Sequence, residues 1–331
     1  MMKTKSKQIL QFILFLSLGV FLLWYTTASL SKEDLQKVEE LVIQANLYYV
    51  IPCITALILS HYIRALRWKM MMDELDRKPG IINVFLSVLV GYFLNLVFPR
   101  LGEVAKCSLL GRYEKMPVDK LIGTIVAERL IDLICLVVVI LLTVLTQINR
   151  VGSYAAELLQ KLMVKANESF LTFALVLFAF ILLIAILYKL FKKSKWLKSV
   201  QSFFVGIKEG LFSIQKIKRK GLFLTYTFTI WFLYLLSIRI GFNSLAETVD
   251  LGWVPSLTIL TFGSFAMIAT QGGVGAYQLA VQKTLGLYGI MEITGLAFGW
   301  LLWSVQTIML MFVGPFSMLF LLIFNRKKQF K

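Results

Sequence analysis

The densest set of ionisable side chains in this largely apolar chain is Arg100 and Glu103, followed at close spacing by Glu128, Arg129 and Asp132. Charges at membrane depth cost roughly 2.5 to 3.5 kcal/mol each on insertion scales, so such residues pair with one another or face water. On a helix Glu128 and Asp132 share one face and Arg129 lies about 100° away. Two uses fit this set. In one, Arg100, Arg129 or both meet a lipid phosphate, because a guanidinium can donate to two phosphate oxygens, while Glu103 and Glu128 hold the arginines or take protons. In the other, the charges are internal salt bridges that brace the protein. Catalysis is not expected. His61 is the sole histidine and reads as a structural polar contact, and Cys53, Cys107 and Cys135 are dispersed with no CxxC pair, so no metal and no cofactor is assigned.

The elements that carry these residues are set by composition. Of 331 residues 58% are hydrophobic and 16% charged, with a mean hydropathy of +0.78. That balance predicts an all-α polytopic membrane protein without a soluble catalytic domain. The net charge of +17 sits in short inter-helical loops and at the ends, a topology signal and not a nucleic-acid surface. The opening MMKTKSK and the apolar run from Ile9 to Tyr25 read as a retained first helix. Six segments are long enough to cross: 9–26, 47–64, 121–147, 169–190, 221–242 and 293–324. Basic residues at both ends place both termini in the cytoplasm of a cell-membrane protein. Arg64, Arg67 and Trp68 fall in the first inner loop, at the membrane interface.

Two further apolar stretches are interrupted. The first, 91–103, reads GYFLNLVFPRLGE. A full crossing there would put Arg100, Lys106, Arg112, Lys115 and Lys120 outside, against the positive-inside rule. The expectation is a re-entrant hairpin over about 81–118, turning near Pro99 and Gly102. The second, 269–278, reads ATQGGVGAYQ and gives a hairpin over about 255–290 with an uncharged turn. Gly272, Gly273 and Gly275 permit unusual backbone angles that would leave N–H groups free for a headgroup, with Gln271 and Gln278 adding neutral hydrogen bonds; a packed helix-helix turn explains the same residues. Broken helices in corresponding places of two halves, 1–150 and 151–331 of a single membrane domain, follow the inverted-repeat pattern of transport sites. Ten basic residues and one acidic residue between Lys189 and Lys220, with apolar residues at helical spacing, predict an amphipathic helix over 192–220 on the inner leaflet. The last helix is expected to kink at Gly314-Pro315, and Gly295 with Gly299 to allow close helix contact.

Four motifs together, RALRW at 64–68, N-x-x-x-P-R-x-G-E from Asn95 to Glu103, E-R-x-x-D from Glu128 to Asp132 and Q-G-G-x-G from Gln271 to Gly275, resemble the flippase-like family, also called the lysylphosphatidylglycerol synthase transmembrane region. The resemblance spans nearly the whole chain. It implies a relative of the lipid-translocating half of multiple peptide resistance factors, handling phospholipid or lipid-linked glycan. Carried over by motif, the substrate-binding set is Asn95, Arg100, Glu103, Lys106, Glu128, Arg129, Asp132, Gln271, Gly272, Gly273, Gly275 and Gln278. Lys106 stands where an arginine, and Gln278 where an acidic residue, is expected. Aminoacyl-transferring members also carry a soluble synthase domain. This chain stops six residues after Asn325, so aminoacyl transfer by it alone is not expected. The expected activity is lipid movement between leaflets, with membrane lipids and their anionic headgroups as partners. The alternative is a non-transporting, lipid-binding subunit that scaffolds a biosynthetic enzyme.

Overall fold

The computed structural model describes residues 17–28, 30–72, 78–98, 101–147 and 217–329, with side chains as far as 326. All regular structure among them is helical: α1 (Ser17–Ala28), α2 (Lys32–Gln44), α3 (Val50–Met72), α4 (Ile81–Val97), α5 (Leu101–Glu114), α6 (Val118–Thr146), α7 (Lys220–Gly241), α8 (Trp253–Ala269), α9 (Ala276–Gly286) and α10 (Glu292–Gln329). The expected segment 169–190, all but the end of 192–220, and both Pro99 and Arg100 lie outside the described residues.

Among the described residues, three helices are long and apolar enough to cross a membrane: Leu47–Met72, Lys220–Ser244 and Glu292–Arg326. Phe228, Phe312 and Phe316 on α7 and α10 stand more than two-thirds exposed. Such apolar surface is costly in water and cost-free in hydrocarbon, so the protein is an all-α membrane protein. α6 has 29 residues, long enough at 1.5 Å per residue, but carries Asp119, Lys120, Glu128, Arg129 and Asp132. By contrast α5, with 14 residues, and α9, with 11, span only about 21 and about 17 Å.

Those short helices are second arms of two hairpins. α4 and α5 pack tightly because glycines remove side chains where the arms cross: a Cβ on Gly102 would collide with the Gly91 carbonyl. The Asn95 side chain accepts from the Gly102 N–H at 2.9 Å, satisfying one of the free donors that open α5. At the base of the hairpin the Glu114 carboxylate accepts from the Gly80 N–H at 3.0 Å and from the Asn83 amide at 2.7 Å. Asn83 also exchanges two amide hydrogen bonds with Asn325 of α10, at 3.0 and 2.9 Å.

α8 and α9 form the second hairpin. The chain turns through Gly272, Gly273 and Gly275, whose φ values of 60°, 75° and 73° favour glycine. The tips of the two hairpins touch. The Gln271 amide donates to the carbonyls of Asn95 at 2.7 Å and Leu96 at 3.1 Å, which the end of α4 leaves without helical partners. On the far side the Trp303 indole N–H of α10 donates to the Gly272 carbonyl at 2.8 Å.

Three local features differ from the sequence reading or refine it. The acidic segment after the first helix forms α2, opened by a capping box in which Ser31 and Asp34 bond reciprocally. It packs Val38 against Leu296 and Ala297 of α10. α10 includes Pro315, and the missing side chain of Gly314 leaves room for the Phe93 ring. Gly295 and Gly299 do make the expected close contact, lying against the backbone of Gln282 and Gln278 on α9. Because the Gly91–Gly102 crossing has no space for a methyl group, Gly102→Ala is expected to cost about 3 kcal/mol of stability, the upper end for overpacking. Thermal unfolding of the detergent-solubilised protein checks this; an unchanged transition would mean the arms do not meet there.

Candidate functional site

The charged side chains gather where α3, α5 and α6 meet. Arg64 and Arg67 are three residues apart on α3 and therefore point the same way, toward α6. Arg64 Nη1 reaches Glu128 Oε1 at 2.8 Å and Asp132 Oδ2 at 2.5 Å, while Arg67 Nη2 reaches Asp132 Oδ1 at 2.7 Å and Glu128 Oε1 at 3.5 Å. From α5 the Lys106 ammonium donates to Glu128 Oε2 at 3.1 Å and lies 4.6 Å from the centre of the Trp68 ring. Glu128 is completely buried within three cations. A bare carboxylate could not be held there; multiple charge-assisted hydrogen bonds make its burial tolerable.

This geometry corrects part of the sequence reading. Arg64, Arg67 and Trp68 do not lie in a loop: α3 runs on to Met72, and all three are buried among the helices, with the Trp68 indole donating to Thr124 Oγ1 at 2.8 Å. Their positive charge, read as a topology signal, is drawn inward by the two carboxylates of α6. Lys106 and Glu128, expected to meet substrate, are sealed against each other.

One ion pair differs. Arg129 Nε donates to Glu103 Oε1 at 2.7 Å, and these side chains are 39% and 31% exposed. Arg129 Nη1 lies 3.8 Å from Asp132 Oδ2, which joins this pair to the sealed cluster. Among the described residues the network holds Arg64, Arg67, Lys106 and Arg129 against Glu103, Glu128 and Asp132, one more positive than negative charge. The two sequence-based uses of these charges thus divide by location. The Glu128 cluster braces the bundle, and the Arg129–Glu103 pair is open to a ligand.

What it opens to is a cavity of about 650 Å³ between the two hairpin tips, within the usual range of ligand pockets of roughly 300 to 1,000 Å³. Arg64, Glu103, Arg129 and Asp132 form its charged end, Asn95, Gln271 and Gly272 come from the tips, and leucines and isoleucines of α3, α6, α7, α8 and α10 supply an apolar remainder. Gly273, Gly275 and Gln278, expected beside the substrate, do not line it. Gly273 packs on Met267, Gly275 lies against the backbone of α1 at Gly19, and Gln278 is fully buried against Gly299 of α10. These glycines serve close helix packing, and only Gly272 of the three reaches the cavity.

Sequence reasoning missed His61, Tyr92, Trp231, Tyr234 and Thr270 on the cavity wall. The His61 and Tyr92 rings lie 4.4 Å apart, and Arg64 Nη2 donates to the Tyr234 hydroxyl at 3.3 Å. A signal for the first did exist: His61, Arg64 and Arg67 recur every three residues, a polar stripe on an otherwise apolar helix.

An all-helical membrane protein with a buried charge network beside a cavity closed by two helical hairpins defines the structural class. Residues 8–314 match the lysylphosphatidylglycerol synthase TM region, and the chain belongs to that family. It is 33% identical over 101 residues to a UPF0104 membrane protein of Methanocaldococcus jannaschii, a stretch covering 30% of this chain and 30% of that relative. No solved structure matches.

Glu128→Gln, which leaves three cations around a neutral amide, is expected to destabilise the protein by about 3 to 5 kcal/mol. Arg129→Gln, at a partly exposed pair, should cost under about 1 kcal/mol. Thermal melts of both variants in one detergent test the contrast, and equal losses would contradict the division into sealed and open charges.

Proposed function

We propose that the protein moves a phospholipid or a polyprenyl-phosphate lipid between leaflets, without chemical change to it. The observation that supports this reading is the cavity's polarity: one end carries a network with, among the described residues, one surplus positive charge and a partly exposed arginine, and the rest is mostly apolar. A phosphate headgroup suits the charged end, with Arg129 as its main contact through the terminal nitrogens left over from the Glu103 pair. Acyl or prenyl tails suit the apolar wall and the surrounding lipid. Broken helices at a central cavity are the usual site of alternating access. In this reading the α4–α5 hairpin enters from the cytoplasm and the α8–α9 hairpin from outside, in the cell membrane with both termini cytoplasmic. The matched family supports membrane embedding and leaves the leaflet-to-leaflet step as our proposal.

The test is native mass spectrometry of the protein released from its own membranes, beside Glu103→Gln and Arg129→Gln. One phosphate-bearing lipid class should be enriched on the wild type and fall roughly tenfold on folded Arg129→Gln, the loss of about 1.4 kcal/mol of charge-assisted bonding. The same lipids on all three proteins would sink the headgroup site and favour a scaffold for a biosynthetic enzyme.

A further inference from the structure

The three carboxylates of the charge network are not held alike. Glu128 lies within reach of Arg64, Arg67 and Lys106, and Asp132 within reach of Arg64, Arg67 and Arg129. Among the described residues Glu103 accepts from Arg129 alone, through a single bond from Nε to Oε1 at 2.7 Å. Lys106, one turn further along α5, donates to Glu128 instead. Glu103 is also the most exposed of the three, at 31% against 14% for Asp132 and 0% for Glu128, and it lines the cavity beside Arg129.

A single-bonded, partly exposed pair leaves most of a guanidinium unused, because its planar fork suits two oxygens at once. A phosphate can supply them at the terminal nitrogens of Arg129. It then shares one cation with a carboxylate already in hydrogen-bond contact, and two negative groups lie side by side. Repulsion between like charges at that separation is enough to change a binding constant by about tenfold or more. Glu103 therefore works against the anion that Arg129 attracts. In a carrier that opposition has a use. A site that takes up a headgroup on one face and gives it up on the other is not served by tight binding, just as a conducting site must bind weakly enough to let its ion leave.

We infer that Glu103 is an internal counter-anion, which holds Arg129 in place while the cavity is empty and limits affinity so that a bound phosphate headgroup is released. This rests on the phosphate-at-Arg129 reading and adds how the site lets its ligand go. The effect depends on charge. A headgroup with a net negative charge meets the opposition, whereas a zwitterionic one can turn its ammonium to the carboxylate.

The experiment measures the affinity of two short-chain probes, dihexanoyl phosphatidylglycerol and dihexanoyl phosphatidylcholine, by isothermal titration calorimetry in one uncharged detergent at low salt. The proteins are wild type, Glu103→Gln, Glu103→Asp and Arg129→Gln. Glu103→Gln keeps the shape and one acceptor oxygen while removing the charge. It should bind the glycerol lipid about tenfold more tightly than wild type, and the choline lipid no more tightly. Glu103→Asp keeps the charge and should bind both probes much as wild type does. A side chain that only braced the site, or only contacted the ligand, would instead weaken binding when altered. Glycerol-lipid binding that is unchanged or weaker in folded Glu103→Gln, an equal gain for both probes, or the same gain in Glu103→Asp overturns the counter-anion. If Arg129→Gln still weakens the glycerol lipid in that event, the phosphate site stands without it. Binding of both probes that is indifferent to Arg129→Gln overturns both. Melting temperatures identify a variant that fails to fold, and Glu103→Ala then takes the place of Glu103→Gln.

Discussion

A carboxylate with no access to water is the constraint around which the first half of the protein is arranged. Glu128 is stable in its position because Arg64, Arg67 and Lys106 approach it from two other helices, and each of those cations is itself buried only because Glu128 and Asp132 are there. The cluster fixes the rotation of α3, α5 and α6 about their axes, since a turn of any one by a single residue would swing its charges out of reach. Fixing α5 also fixes the hairpin, and with it the position of Glu103. The Arg129–Glu103 pair at the cavity is thus held from behind by Arg67, Lys106 and Glu128, which do not line the cavity, an arrangement that keeps a binding group in place before the ligand arrives.

The second constraint is close backbone approach. Polar tips in an apolar surrounding need every carbonyl and N–H accounted for. The glycines at 91, 102, 273 and 275 meet that need by allowing arms and turns to lie within hydrogen-bonding and van der Waals reach, and Asn95, Gln271 and Trp303 pair further backbone groups there. The cavity is the space these contacts leave between the tips.

Much of this was legible in the sequence. Hydropathy indicated the helical membrane class, and loop charge indicated that 81–118 doubles back; α4 and α5 do form a tight pair. Part of the charged cluster was also readable, Glu103, Glu128, Arg129 and Asp132, because ionisable residues in an apolar chain must gather, whereas Arg64 and Arg67 were assigned elsewhere. What could not be read was the assignment of roles within it. Arg64 and Arg67 are common as topology signals, and only the length of α3 shows them to be internal. Likewise one glycine-rich motif serves packing at 273 and 275 and the cavity at 272, a difference fixed by which helix lies opposite. His61, Trp231 and Thr270 carry no charge and fall in separate segments, so their meeting on one wall is a property of the fold alone.

The Gln271 link between the hairpin tips has a consequence for how the site can change shape. Among the described residues, the ion pairs of the site join only α3, α5 and α6, and the one other pair, Lys283–Glu292, lies within the second half. Among the described residues, the α8–α9 hairpin is hydrogen-bonded to the first half through neutral groups: Gln271 to α4, Thr261 to Thr143 and Thr258 to Gln147 on the α6 side. Parting along that seam would exchange amide and hydroxyl contacts and leave every ion pair intact. The charged wall is then a fixed electrostatic reference and the glycine-rich wall the displaceable one, with a seam whose strength is insensitive to ionic strength.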